Sequence, residues 1–198
     1  FTLLTVAFNP SATGTRTAAI QIANNDTDET PYDINLSGIG TAPDISIEQG
    51  AVLADGTSTV AYGSSNIATG VARTFTIRNP GSANLFNLAA TIDGANASDF
   101  TVTLAPANPV LPAGFITFSV TFNPSALGAR TATLRVASNV TGPKNPFDIA
   151  LSGVGTSPEI SVEQPATVLL TDGSSTSTFT PTVVNATTVN SFTIRNLG

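Results

Sequence analysis

Across residues 42–156 of this chain apolar and polar residues alternate with period two, and no stretch there shows helical spacing. Ile116, Phe118, Val120 and Phe122 alternate with Thr117, Ser119 and Thr121, so one face of that segment is apolar and the other bears hydroxyls. Phe75 and Ile77 alternate with Thr74, Thr76 and Arg78, Leu134 and Val136 flank Arg135, and Phe147, Ile149 and Leu151 alternate with Asp148 and Ala150. The pattern predicts strands near 44–48, 71–78, 85–92, 99–104, 115–122, 130–137 and 147–152. Turn formers separate them: Asp55-Gly56, Asn79-Pro80-Gly81, Asp93-Gly94, Pro112-Ala113-Gly114 and Asn123-Pro124. Seven short strands at this spacing predict an all-β, immunoglobulin-like β-sandwich. Phe118, Val120 and Phe122 are expected to be buried, facing Phe75, Ile77, Leu134 and Val136 across the sandwich.

The chain also repeats itself. Phe8-Asn9-Pro10-Ser11-Ala12 returns as Phe122-Asn123-Pro124-Ser125-Ala126, and Ser37-Gly38-Ile39-Gly40-Thr41 as Ser152-Gly153-Val154-Gly155-Thr156. Phe75-Thr76-Ile77-Arg78-Asn79 returns as Phe192-Thr193-Ile194-Arg195-Asn196. The offsets are 114, 115 and 117, so the unit has the commonest domain size. Tandem immunoglobulin-like β-sandwiches are therefore expected: 1–41 as the C-terminal part of one repeat, 42–156 as a complete repeat, and 157–198 as the N-terminal part of the next. The end segments would expose Leu4, Val6 and Phe8 and unpaired strand edges if left alone. The reading is a window from a longer array; completion of the ends by neighbouring chains through strand addition is the alternative.

Composition narrows the chemistry. Among 198 residues, Lys+Arg number 7 against 13 Asp+Glu, a net charge of −6. So few cations cannot neutralise many phosphates, which argues against nucleic acid as partner. The sequence has no His, Cys, Met or Trp. Zinc sites, thiol nucleophiles, Ser-His triads and disulfides are thereby excluded. Absence of Met implies a processed product or a piece of something longer, and absence of Cys, Met and Trp leaves oxidants little to attack. Abundant Thr lets strand faces meet water without charge. No apolar run reaches the length of a transmembrane helix, so no membrane insertion is expected in this segment.

Arg73-Thr74-Phe75-Thr76-Ile77-Arg78-Asn79 with Gly81, and Asp93-Gly94-Ala95-Asn96-Ala97-Ser98-Asp99-Phe100, resemble the bacterial choice-of-anchor D repeat. Phe122-Asn123-Pro124-Ser125 with Gly128-Ala129-Arg130-Thr131-Ala132, and Leu151-Ser152-Gly153-Val154-Gly155, fit the same pattern. That repeat is similar to the ASPM–SPD-2–Hydin group of immunoglobulin-like domains. The resemblance implies tandem domains in large exported or surface proteins of bacteria, with varied anchors, and brings no catalytic motif.

Candidate sites are few. Asn24-Asn25-Asp26-Thr27-Asp28-Glu29 is the densest acidic cluster and has oxygen ligands suited to Ca²⁺. The matching loop, Ser138-Asn139-Val140-Thr141-Gly142-Pro143-Lys144-Asn145, has no carboxylate and holds the only lysine, so a solvated hairpin loop is the expectation. Asp93, Asn96 and Asp99 have metal-like spacing; a turn at Asp93-Gly94 and a short helical turn capped by Ser98 or Asp99 are expected instead. Glu48, Glu159 and Glu163 lie on first strands without a cleft between them, so glycosidase chemistry is not expected. Sequons at Asn25, Asn35, Asn96, Asn139 and Asn185 are read as composition.

No catalytic, cofactor-binding or metal residues are therefore assigned, and the chain is read as a non-enzymatic structural module: an extracellular stalk or filament built of tandem domains. Its expected partners are neighbouring copies of the same repeat, with a host-surface or glycan ligand as a further possibility. The alternative is an adhesin or carbohydrate-binding module using sandwich-end loops, whose signature would be displayed aromatics. Tyr32 aligns with the core-facing Phe147, leaving Tyr62 as the free candidate.

Overall fold

A computed structural model describes residues 1–198. Its strands, in chain order, are β1 (Gly14–Ile22), β2 (Tyr32–Gly40), β3 (Ser46–Gln49), β4 (Ala51–Val52), β5 (Thr59–Asn66), β6 (Val71–Arg78), β7 (Ala89–Asp93), β8 (Phe100–Leu104), β9 (Phe115–Phe122), β10 (Gly128–Ala137), β11 (Phe147–Thr156), β12 (Ile160–Glu163) and β13 (Thr193–Asn196). One short 3-10 turn, Ala97–Asp99, joins β7 to β8, and no helix is long and apolar enough to cross a membrane.

Between β3 and β11 the chain forms an immunoglobulin-like sandwich. One sheet has the order β4-β3-β6-β9-β8 and the other β5-β11-β10-β7. Neighbours are antiparallel except β5, which runs parallel to β11. Phe118, Val120 and Phe122 are fully buried, as are Leu134 and Val136 on the opposite sheet. Phe75 and Ile77 are equally buried but sit beside β9 in its own sheet, with Phe75 opposite Phe118 in register. They are lateral neighbours rather than partners across the sandwich, because antiparallel pairing of β6 with β9 points both sets of side chains to the same face.

Two further differences concern β5 and β7. β5 interrupts its alternation at Gly63-Ser64-Ser65, and its pairing is with a strand about ninety residues away, so the local pattern hides it. β7 begins at Ala89 rather than 85; Leu85 is instead pinned by a single bridge to Val110.

Tyr62 lies on β5 and is buried, not displayed on a loop. Its ring meets Phe100 edge-on at 5.6 Å and Phe122 at 5.7 Å, and its hydroxyl donates to the Val120 carbonyl at 3.0 Å. Burial pushes the phenol pKa well up, with Arg73 pulling only weakly the other way, so it stays neutral. Tyr62→Phe should cost about 1 kcal/mol in urea unfolding, the usual loss of one buried hydrogen bond. Tyr32, by contrast, is half-exposed on the β1–β2 hairpin, whereas its counterpart Phe147 is buried under the second sheet.

Candidate functional site: the joint between domains

The sequence that recurs most strictly is concentrated where the complete sandwich meets the two-stranded segments that flank it, β1-β2 and β12-β13. At the trailing pole, Gly153 lies against the Phe122 ring, where an added Cβ would stand 2.4 Å from it. Gly155 lies against the Ala126 carbonyl oxygen, with the corresponding distance 2.0 Å. The first copy repeats both contacts: Gly38 against the Phe8 ring and Gly40 against the Ala12 carbonyl. Ser-Gly-x-Gly and Phe-Asn-Pro-Ser-Ala therefore recur together because each supplies the space or the atom that the other needs.

The next residue, Thr156, is still held by the sandwich it leaves. Its carbonyl accepts from the Ile67 N–H at 2.9 Å and its hydroxyl donates to Asn66 Oδ1 at 2.9 Å. One position further on in the repeat, Ala42 is already held by the sandwich that follows. Its N–H donates to Ser82 Oγ, and its carbonyl accepts from the Ser82 and Ala83 N–H groups. Asn79 organises this leading pole. Its fully buried amide accepts from the Asp44 and Gly81 N–H groups and donates to the Ala83 and Val110 carbonyls. Lys144 adds an ion pair to Asp44 at 2.7 Å and reaches the Ile45 carbonyl. The second joint uses the same parts: Asn196 Oδ1 accepts from the Gly198 N–H, and Gly198 backs onto Ser157 and Glu159 as Gly81 backs onto Ala42 and Asp44.

The sequence pattern marks Asn79 only as a turn former and gives Lys144 no role. The signal that could have found Asn79 is its return as Asn196 together with Gly198 two residues on.

The residues singled out from sequence serve as struts. Glu48 pairs with Arg78 at 2.8 Å, and the repeat-related Glu163 with Arg195 at 3.0 Å. Glu163 is held below the ordinary glutamate range by the Thr167 N–H first and by Arg195 second, which together outweigh its burial. Glu159 is exposed and accepts the Leu197 N–H through its backbone carbonyl. Asp93 and Asp148 share Arg135, and the hydrogen bond that Arg135 donates to Asp93 is the main reason that the guanidinium pKa is raised.

Asp99 departs from expectation. It caps nothing; the 3-10 turn is preceded by Asn96, which makes no side-chain cap bond and instead accepts the Thr131 N–H. Asp99 is buried against Arg130 at 2.5 Å and accepts the Ser125 N–H at 3.3 Å, tying β8 to the Asn123-Pro124-Ser125 turn. Asp93, Asn96 and Asp99 are thus each engaged with β10 or the turn before it rather than with one another. In the 24–29 loop, Asn24 closes the turn on itself by accepting the Asp26 N–H and donating to the Glu29 carbonyl. No group of three or more carboxylates is arranged to hold a metal ion.

Several solved structures are similar. The ASH/PapD-like domain of human CEP192 (PapD-like domain 7) is 12% identical over 57% of this chain and 85% of that one, with TM-score 0.37. A protein of unknown function from Porphyromonas gingivalis W83 is 12% identical over 74% of this chain and 68% of that one, at TM-score 0.45. WR4, an MSP family member of C. elegans, is 13% identical over 59% of this chain and the whole of that one, at 0.32. No curated protein matches the sequence. Residues 51–145, which make up most of the complete sandwich, match the family model of the ASH domain, described as abnormal spindle-like microcephaly-associated, ASPM-SPD-2-Hydin.

Proposed function

We propose that the chain is a spacer segment of an exported bacterial surface protein of the choice-of-anchor D type, stacking immunoglobulin-like domains end to end into a stalk or filament outside the cell. An ASH-type, PapD-like sandwich is a structural or protein-interaction module, and the structural half of that description fits the joint. The observation that carries the reading is that the recurring joint sequence is tied from both sides: Thr156 is held by the sandwich it leaves, and Ala42, at the other joint, by the sandwich it enters, so the repeat leaves little slack for a hinge. A surface of hydroxyls with few ions, and a chain without thiols or thioethers, support an extracellular setting. Neighbouring copies of the same repeat are then the principal partners. A second reading, a carbohydrate-binding module, is favoured by an open groove at the leading pole lined by Phe86 and three asparagines.

Because the chain has no cysteine, spin labels can be placed by two substitutions alone, Thr117→Cys in the complete sandwich and Ser174→Cys beyond the second joint. Double electron–electron resonance should give one narrow distance peak. A broad or multi-peaked distribution would remove the basis for a fixed spacer.

A further inference from the structure

At the leading pole the segment Asn84–Leu88 is held rigidly by side-chain amides rather than by a strand. Asn139 accepts from the Phe86 N–H at 2.8 Å, donates to the Asn84 carbonyl at 3.1 Å, and its own N–H donates to the Phe86 carbonyl. Asn108 clamps Leu88 in the same way, accepting its N–H at 2.7 Å and donating to its carbonyl at 3.2 Å. Leu85 exchanges both backbone bonds with Val110. Asn87 is the exception and sits in the left-handed region at φ 58°.

The result is a preset platform that turns one large ring and two amides outward. Phe86 is 45% exposed although its backbone is fully bonded. The side-chain amides of Asn84 and Asn87 make no hydrogen bond within the chain, and both residues are exposed. With Asn108 and Pro109 they line a shallow groove open to solvent. No lining residue carries charge. An anionic ligand would find no cation there, and a cation no carboxylate. A pyranose offers what the groove complements: an apolar C–H face for the ring, and hydroxyls that both donate and accept for the amides.

The geometry points to a binding site for neutral pyranose glycans formed by Phe86, Asn84 and Asn87. Because the platform is fixed before binding, little ordering cost opposes a weak ligand. This assignment deepens the carbohydrate-binding reading and is independent of the spacer reading.

The 198-residue chain should be tested against an array of neutral oligosaccharides, then titrated with cellobiose, maltose and lactose by ¹⁵N-resolved NMR. Binding is expected to shift the side-chain amide signals of Asn84 and Asn87. Phe86→Ala should weaken it about tenfold, which corresponds to about 1.4 kcal/mol. Asn87→Gly tolerates the left-handed backbone and removes the side chain with its amide, so it should weaken binding several-fold without loss of fold. Binding that persists unchanged in Phe86→Ala would overturn this site while leaving a carbohydrate-binding role elsewhere on the domain. Retention of no neutral glycan would overturn both.

Discussion

Phe118→Ala should unfold the complete sandwich at much lower urea, with a loss of about 3–5 kcal/mol, the usual cost of truncating a large aromatic in a packed interior. Phe118 has no exposed surface and stacks on Phe75 with centroids 5.1 Å apart and planes 20° apart. Both rings project from central strands of the five-stranded sheet, so neither can tilt toward solvent to fill the space left behind. With domain stabilities of about 5–15 kcal/mol, such a loss removes a large share of the margin. The near-UV signal of buried Tyr62 reports the transition, since Tyr32 is half-exposed and contributes little fixed asymmetry. A shift in midpoint with unchanged slope identifies a change of stability alone. A loss below about 1 kcal/mol would mean that Phe118 does not sit in a closed core.

The fold was legible wherever a strand carried its own alternation. β6 and β9 follow the pattern of Phe75 and Ile77, and of Phe118 to Phe122, residue for residue. β5 was not legible, because its two inward residues, Val60 and Tyr62, are too few to set a period, and its partner is distant in sequence. The same gap concealed the role of Tyr62: a lone tyrosine just ahead of Gly63-Ser64-Ser65 reads as a loop until β11 gives it a place in the sheet. The joint was half-legible. The recurrence of Ser-Gly-x-Gly marked it, but the reason lies in ring-to-backbone contacts with Phe122 and Ala126 that no spacing reveals. The groove at Phe86 was hidden entirely. Its geometry depends on amides of Asn108 and Asn139, which stand about twenty and fifty residues further along the chain.

Arg130→Ala should be comparably damaging at neutral pH, at about 3–5 kcal/mol, because it strands a buried charge rather than removing a pair. The Asp99 side chain has no exposed surface, and that of Arg130 is 17% exposed. Arg130 Nε reaches Asp99, while a second guanidinium nitrogen donates to Ser125 Oγ, so the substitution also loosens the turn that leads into β10. Burial alone would push the Asp99 pKa up; the hydrogen bonds from Ser125 and Arg130 and the charge of Arg130 outweigh it and hold the pKa low. A carboxyl whose folded pKa is depressed contributes stability above its unfolded value, about 3.9, and loses that contribution as pH falls through the folded value. In Arg130→Ala the hydrogen bond and charge of Arg130 are lost and only the Ser125 bonds oppose burial, so the Asp99 pKa rises and protonation on acidification relieves the variant. The gap between wild type and Arg130→Ala, measured by urea unfolding, should therefore be widest at neutral pH and narrow steadily on acidification. Adding Asp99→Asn to Arg130→Ala should recover part of the loss at neutral pH, since a neutral amide is cheaper to bury than an unpaired carboxylate. Arg130→Lys should fall between wild type and Arg130→Ala, because one ammonium cannot span Asp99 and Ser125 with the guanidinium's fork. A gap that stays constant across the acid range would show that the ionised Asp99–Arg130 pair is not what ties β8 to the Asn123-Pro124-Ser125 turn.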